Sequence, residues 1–107
     1  MMKLLPLNKV PAQTLSATLA DQIAGLRIYQ LRSGLYMDVY KDGSLVIGGV
    51  ICQNLNRIIR SAYLGFNGDF VWYDSQGSSD PAYDGLGERF FLYYLEAAEI
   101  LNTMEVA

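Results

Sequence analysis

The chain has 107 residues, 51% of them apolar and 18% charged, which suits one globular domain with a sizeable core rather than a disordered tail. A net charge of −3 speaks against a nucleic-acid partner, which would need a basic face to neutralise phosphates. The lack of histidine removes the commonest general base and transition-metal ligand, and a lone cysteine, Cys52, excludes an intramolecular disulfide or a thiolate cluster.

Residues 1–12 read as an extended lead-in or an edge strand, because Pro6 and Pro11 interrupt the apolar start MMKLLPLNKVP. The apolar run is too short for a signal peptide, and no stretch approaches the length of a membrane span, so a soluble protein made in the cytoplasm of its producing cell is expected. Gln13–Leu19 alternates small polar residues with Leu and Ala, as a strand does. Ala20–Gln22 reads as a turn and Ala24–Leu31 as the next strand.

Two hairpins follow, marked by Ser33-Gly34 and Asp42-Gly43. Two-residue loops at these dipeptides predict Val39 opposite Val46, Leu35 opposite Val50 and Ile28 opposite Val39. One face then gathers Leu26, Ile28, Leu35, Met37, Val39, Val46 and Val50, a core face. The other carries Arg27, Tyr29, Leu31, Tyr36, Asp38, Tyr40, Leu45 and Ile47, too apolar for a solvated face and too charged for a buried one. Either a terminal segment covers these tyrosines, with Arg27 and Asp38 as a cross-strand pair, or the face contacts another protein.

Gly48-Gly49 within a strand pattern predicts a bulge or tight bend, of the kind that curls a sheet towards a barrel. In Ile51–Leu64 the spacing of Leu55, Ile58, Ile59 and Ala62, with Asn54 as a cap, leaves a helical turn, an irregular crossover and a strand all open. Cys52 reads as a packed thiol. Gly65–Gly68 is a turn that delivers the chain into Asp69–Asp74, DFVWYD, and after a long loop comes Glu88–Glu96, ERFFLYYLE. The aromatic density of these two segments, on alternating sides, predicts strands in the middle of the fold, covered on both faces. Residues 97–107 form a C-terminal tail, with helical spacing up to Met104. The expected architecture is one all-β domain, 1–107, of about six or seven antiparallel strands closed into a small barrel or a two-layered sandwich.

The loop Asp74–Gly87 contains Asp74, Asp80 and Asp84, but their spacing does not match the helix–loop–helix calcium loop, and Asp, Gly, Ser and Pro are ordinary loop residues. An ordinary loop is favoured over a metal site. A carboxylate pair for glycoside hydrolysis drawn from Asp74, Asp80, Asp84 and Glu88 lacks a cleft to hold a sugar. Ser75, Ser78 and Ser79 have no histidine base. No catalytic set, cofactor or metal site is expected.

Three stretches together resemble the baseplate plug proteins of contractile-tailed phages and prophages. They are Leu5-Pro6-Leu7 with Gln13-Thr14-Leu15 and Leu26-Arg27-Ile28-Tyr29; Met37-Asp38-Val39-Tyr40 with Asp42-Gly43; and Asp74, Asp80-Pro81, Asp84, Leu86-Gly87 and Phe91-Leu92-Tyr93. The third is the most specific. Leu35 departs from the tryptophan of the family pattern, and Asn54–Leu64 lacks its glycine-containing turn. The resemblance implies a non-enzymatic all-β part of the virion tail, made in the bacterial host and placed at the baseplate hub, where it helps close the tube. Its implied partners are other tail and hub proteins, with a homo-oligomer open. The expected contact residues are Tyr29, Tyr36 and Tyr40, with Arg27 and Asp38 fixing orientation. The reading of another class is a small carbohydrate- or ligand-binding β module, to be separated by glycan binding.

Overall fold

The structure, a computed structural model, describes residues 3–60 and 66–96. The strands are β1 (Lys3–Leu5), β2 (Ala12–Leu19), β3 (Gln22–Leu31), β4 (Gly34–Lys41), β5 (Ser44–Ile51), β6 (Asp69–Asp74) and β7 (Phe90–Leu95), and a 3-10 turn at Tyr83–Gly85 interrupts the last loop. All pair antiparallel, in a four-stranded sheet β2-β3-β4-β5 and a three-stranded sheet β1-β7-β6. The two sheets share one core and neither closes on itself, so of the two expected closures the sandwich is the one formed. The C-terminal helix expected within 97–107 lies outside the described residues.

Alternation sets which side chains enter the core. In β3, Ala24, Leu26 and Ile28 are buried while Ile23 and Arg27 are exposed; in β4, Leu35, Met37 and Val39 are buried. The opposing sheet contributes Phe70 and Trp72 from β6 and Phe90, Leu92 and Tyr94 from β7. The two strands expected at the centre pair with each other, but only β7 is a middle strand, and β6 lies at the edge of its sheet. Cover on both faces does not follow: Val71, Phe91 and Tyr93 are half-buried and Tyr73 is exposed.

Asp42 and Gly43 form the expected two-residue loop between Lys41 and Ser44, with φ of 50° and 88°, the left-handed pair that a primed turn requires. The register beyond it needs correction. Two successive shifts place Val39 opposite Ile47, not Val46, and Met37, not Leu35, opposite Val50. Each shift is a bulge, and Gly49, at φ 64°, lies within the second, where Gly48-Gly49 predicts one. The first bulge sets Val46 and Ile47 together opposite Val39 and packs both against the core, so Ile47 leaves the outer face assigned to it. At the preceding hairpin the loop is Arg32-Ser33, with Leu31 opposite Gly34; Ile28 therefore faces Met37, not Val39. That slip is an even number of residues, so the faces survive it.

Residues 52–60 form an irregular crossover along the outer edge of β6. Leu55 N–H donates to the Trp72 carbonyl at 2.8 Å and Ile58 N–H to the Phe70 carbonyl at 3.0 Å, which replaces any helical pairing. Asn54 does not cap a helix; its Oδ1 accepts the Asp74 N–H at 2.9 Å. Asp69 is buried and accepts from the N–H groups of Ile59 (2.8 Å), Arg60 (2.8 Å) and Phe70 (2.7 Å), which anchors the end of the crossover. Cys52 is buried beneath it, and desolvation pushes its thiol pKa up to about 12, the state of a packed side chain rather than a nucleophile.

The sheets are joined by polar contacts as well as by the core. Buried Gln22, at the start of β3, donates through Nε2 to the Asn67 carbonyl (2.7 Å) and accepts the Asn67 N–H through Oε1 (3.1 Å). The Tyr94 hydroxyl from β7 donates to the same carbonyl.

Candidate protein–protein interface

On the outer face of the four-stranded sheet, the register sets Arg27 opposite Asp38 and Tyr29 opposite Tyr36. The two tyrosine rings stack at 6.1 Å between centroids with an interplanar angle of 19°. The Arg27 guanidinium lies 4.8 Å from the Tyr29 ring centroid, and its Nη1 is 3.5 Å from Asp38 Oδ2. The hydroxyls of Tyr36 and Ser33 share a hydrogen bond of 2.8 Å. These contacts hold the two rings in place, so little further side-chain entropy is left to lose if the face is covered. Exposed Ile23, Leu31 and Leu45 lie on this same face, so its apolar area extends beyond the tyrosines.

The five residues singled out from the sequence are thus brought together, but not on equal terms. Arg27 is exposed, Tyr29, Tyr36 and Tyr40 are half-buried, and Asp38 is buried. Asp38 Oδ1 accepts the Gly49 N–H at 2.7 Å and the Tyr29 hydroxyl at 3.1 Å. A bulge takes an N–H out of the ladder, and this carboxylate satisfies it. Asp38 shapes the face from beneath rather than presenting itself to a partner. Desolvation, followed by the hydrogen bond to Asp38 and its charge, raises the Tyr29 hydroxyl above the ordinary tyrosine value, so the ring stays neutral at physiological pH.

Asp74 and Asp80 of the long loop have structural partners. Buried Asp74 takes a two-pronged contact from Arg89, Nε to Oδ1 at 2.8 Å and Nη2 to Oδ2 at 2.9 Å, and accepts the N–H groups of Gln76 (2.9 Å) and Ser79 (2.8 Å). Asp80 Oδ1 accepts the Asn54 N–H at 3.1 Å. Among the described residues no group of three or more His, Cys, Asp or Glu side chains is placed to hold a metal ion.

Asp74 gives an acid-sensitivity prediction. The Arg89 hydrogen bonds, with those from Gln76 and Ser79, outweigh burial and hold its carboxyl well below the usual carboxylate range. Its contribution to stability is therefore present above the unfolded value near pH ~4 and is lost as pH falls below it. In urea titrations the gap in midpoint between wild type and Asp74→Asn is expected to be widest at neutral pH and to narrow below about pH 4. A gap independent of pH would show that the ion pair does not stabilise the loop.

Motifs far apart in the sequence meet at the start of β7. Gly87 has φ 78°, and a Cβ there would lie 3.0 Å from the Leu7 carbonyl oxygen. Lys9 Nζ is 2.9 Å from Glu88 Oε2, and Leu86 and Pro81 are buried. The Leu5-Pro6-Leu7 segment thus rests on the Leu86-Gly87 corner. A family model described as cyanophage baseplate Pam3 plug gp18 matches residues 2–97. The chain belongs to this plug family. The match takes in all seven strands and the loop, so both sheets are the plug family's fold. The family is one of phage baseplate proteins, which makes the chain a structural tail component by class. The comparison with curated proteins found no match.

Proposed function

We propose that the protein works at the hub of a phage baseplate, in the virion tail, as a non-enzymatic plug held by protein–protein contacts through the outer face of its four-stranded sheet. The observation that carries the reading is the exposed apolar and aromatic surface of that face. Tyr29 and Tyr36 are ordered by stacking and hydrogen bonds, Tyr40 is half-buried beside them, and Ile23, Leu31 and Leu45 are left in solvent around them. Tyrosine and arginine in such settings supply most of the binding energy of interfaces, and the family match supplies the class of neighbour.

The test is light scattering of the purified protein, alone and mixed with the tail-hub protein encoded beside it. Co-elution in a defined stoichiometry is expected. The double variant Tyr36→Ser/Tyr40→Ser should weaken association by at least ~100-fold while keeping its melting temperature within several degrees of wild type. Loss of folding would mean that the face belongs to the core. Unchanged association would move the contact elsewhere.

A further inference from the structure

The sandwich has four strand edges, and three are protected. β1 is three residues long and ends at Pro6. The edge of β6 is paired with the crossover through Leu55 and Ile58. β5 is broken by two bulges, at Val46-Ile47 and at Gly48-Gly49. β2 has none of these devices. It runs eight residues, Ala12–Leu19, in unbroken register with β3, and carries no charge, proline or bulge. Long regular edges of that kind are templates for another strand, which is why proteins usually block them.

The hydrogen-bonding phase of β2 is set by its neighbour. Gln30 N–H donates to the Pro11 carbonyl, so the odd-numbered residues of β2 exchange bonds with β3. The N–H and C=O groups of Ala12, Thr14, Ser16 and Thr18 therefore point away from the sheet, and no other described strand pairs with them.

We propose that β2 is the pairing edge of a two-fold homodimer, in which two copies join antiparallel about Leu15 into one continuous eight-stranded sheet. The register selects a second copy over an unrelated strand. Centred on Leu15, it sets Ala12 against the partner's Thr18 and Thr14 against the partner's Ser16, so every outward-pointing residue of one strand meets one of the other. An isologous contact must be self-complementary in this way. Side chains fit the same register. Thr14 meets a hydroxyl on the outer face, and Leu15, half-buried at the open end of the core, meets the partner's Leu15 on the inner face. Because β2 is uncharged, self-pairing opposes no like charges. With the two-fold axis perpendicular to the sheet, both tyrosine faces lie on the same side. The dimer does not depend on the tyrosine face being an interface, and Tyr36→Ser/Tyr40→Ser should leave it intact.

Light scattering of the full chain should give twice the monomer mass. Ser16→Pro removes an outward N–H that β3 does not use, and should halve the mass with a melt close to the wild-type monomer's. Thr14→Glu/Ser16→Glu, which sets like charges against each other across the two-fold while the carboxylate at position 14 faces Arg27 within the chain, should do the same if the proline variant fails to fold. Thr14→Glu/Ser16→Lys pairs opposite charges in this register and should restore the dimer. Leu15→Cys should form an intermolecular disulfide on mild oxidation, because directly opposed residues outside the hydrogen-bonded pairs have Cα atoms about 4.5 Å apart. Thr18→Cys should not, since its sulfur would lie about 20 Å from its symmetry mate. A monomeric wild type, a dimer that survives Thr14→Glu/Ser16→Glu, or no cross-link at Leu15→Cys overturns the proposal; the last two results with a dimeric wild type would place the dimer contact off β2.

Discussion

Replacing Gly68 by alanine is expected to destabilise the domain by at least about 4 kcal/mol, enough to leave little folded protein at 37 °C. Gly68 sits at φ 103°, and a Cβ there would lie 2.5 Å from both the Leu95 carbonyl oxygen and the Tyr94 hydroxyl. The first obstacle is backbone of β7 and cannot swing aside. The second donates to the Asn67 carbonyl, which Gln22 also holds, so moving it loosens the polar link between the sheets. Gly43→Ala is the control: φ there is 88° but nothing lies within 4 Å of the added Cβ, so only backbone strain of roughly 1–2 kcal/mol is added. Thermal melts of both variants by circular dichroism separate strain from collision. A Gly68→Ala melt no lower than that of Gly43→Ala would show that the Asn67-Gly68 corner can be rebuilt.

Asp69→Ala is the second large effect, about 3–5 kcal/mol. It leaves the N–H groups of Ile59, Arg60 and Phe70 without their acceptor, those of Ile59 and Phe70 in a buried site, and the crossover loses its anchor. Asp69→Asn keeps one acceptor oxygen and should recover roughly half of the loss. Urea denaturation gives the magnitude, and amide exchange gives the location: Ile59 and Arg60 should lose protection first, ahead of β3 and β4. Exchange that stays slow at those two amides would sink the anchoring role.

The faces were legible because alternation carries them: Leu26, Ile28, Met37 and Val39 face inward in any register of the right parity. Register was not, because it depends on residues that a bulge absorbs. The pair of shifts opposite Val39 and Asp38 changes every partner beyond Tyr40 and moves Ile47 to the inner side. Residues 52–60 stayed undecided for a different reason. Their apolar spacing is compatible with a helix, but their N–H groups find carbonyls on β6 and the Asp69 carboxylate, acceptors that exist only once the tertiary fold is formed. Within the candidate interface, the tyrosines followed from the pattern. The burial of Asp38 did not, since the Gly49 N–H that draws it inward is freed by the bulge. Asp69 and Gln22 passed unnoticed, although an aspartate directly before Phe70-Val71-Trp72 is the kind of polar residue that such a segment buries only for a backbone partner.

The pairing of β1 with β7 sets Lys3 beside Tyr94, near opposite ends of the chain. The β2–β5 meander is built from neighbours and can zip as soon as residue 51 has been made, whereas the three-stranded sheet cannot be completed until β7 has been synthesised. During translation the inner side of the meander, with Leu26, Ile28, Met37 and Val39, therefore waits in water for its lid. β1, made before the meander, is thus among the last strands to find its place.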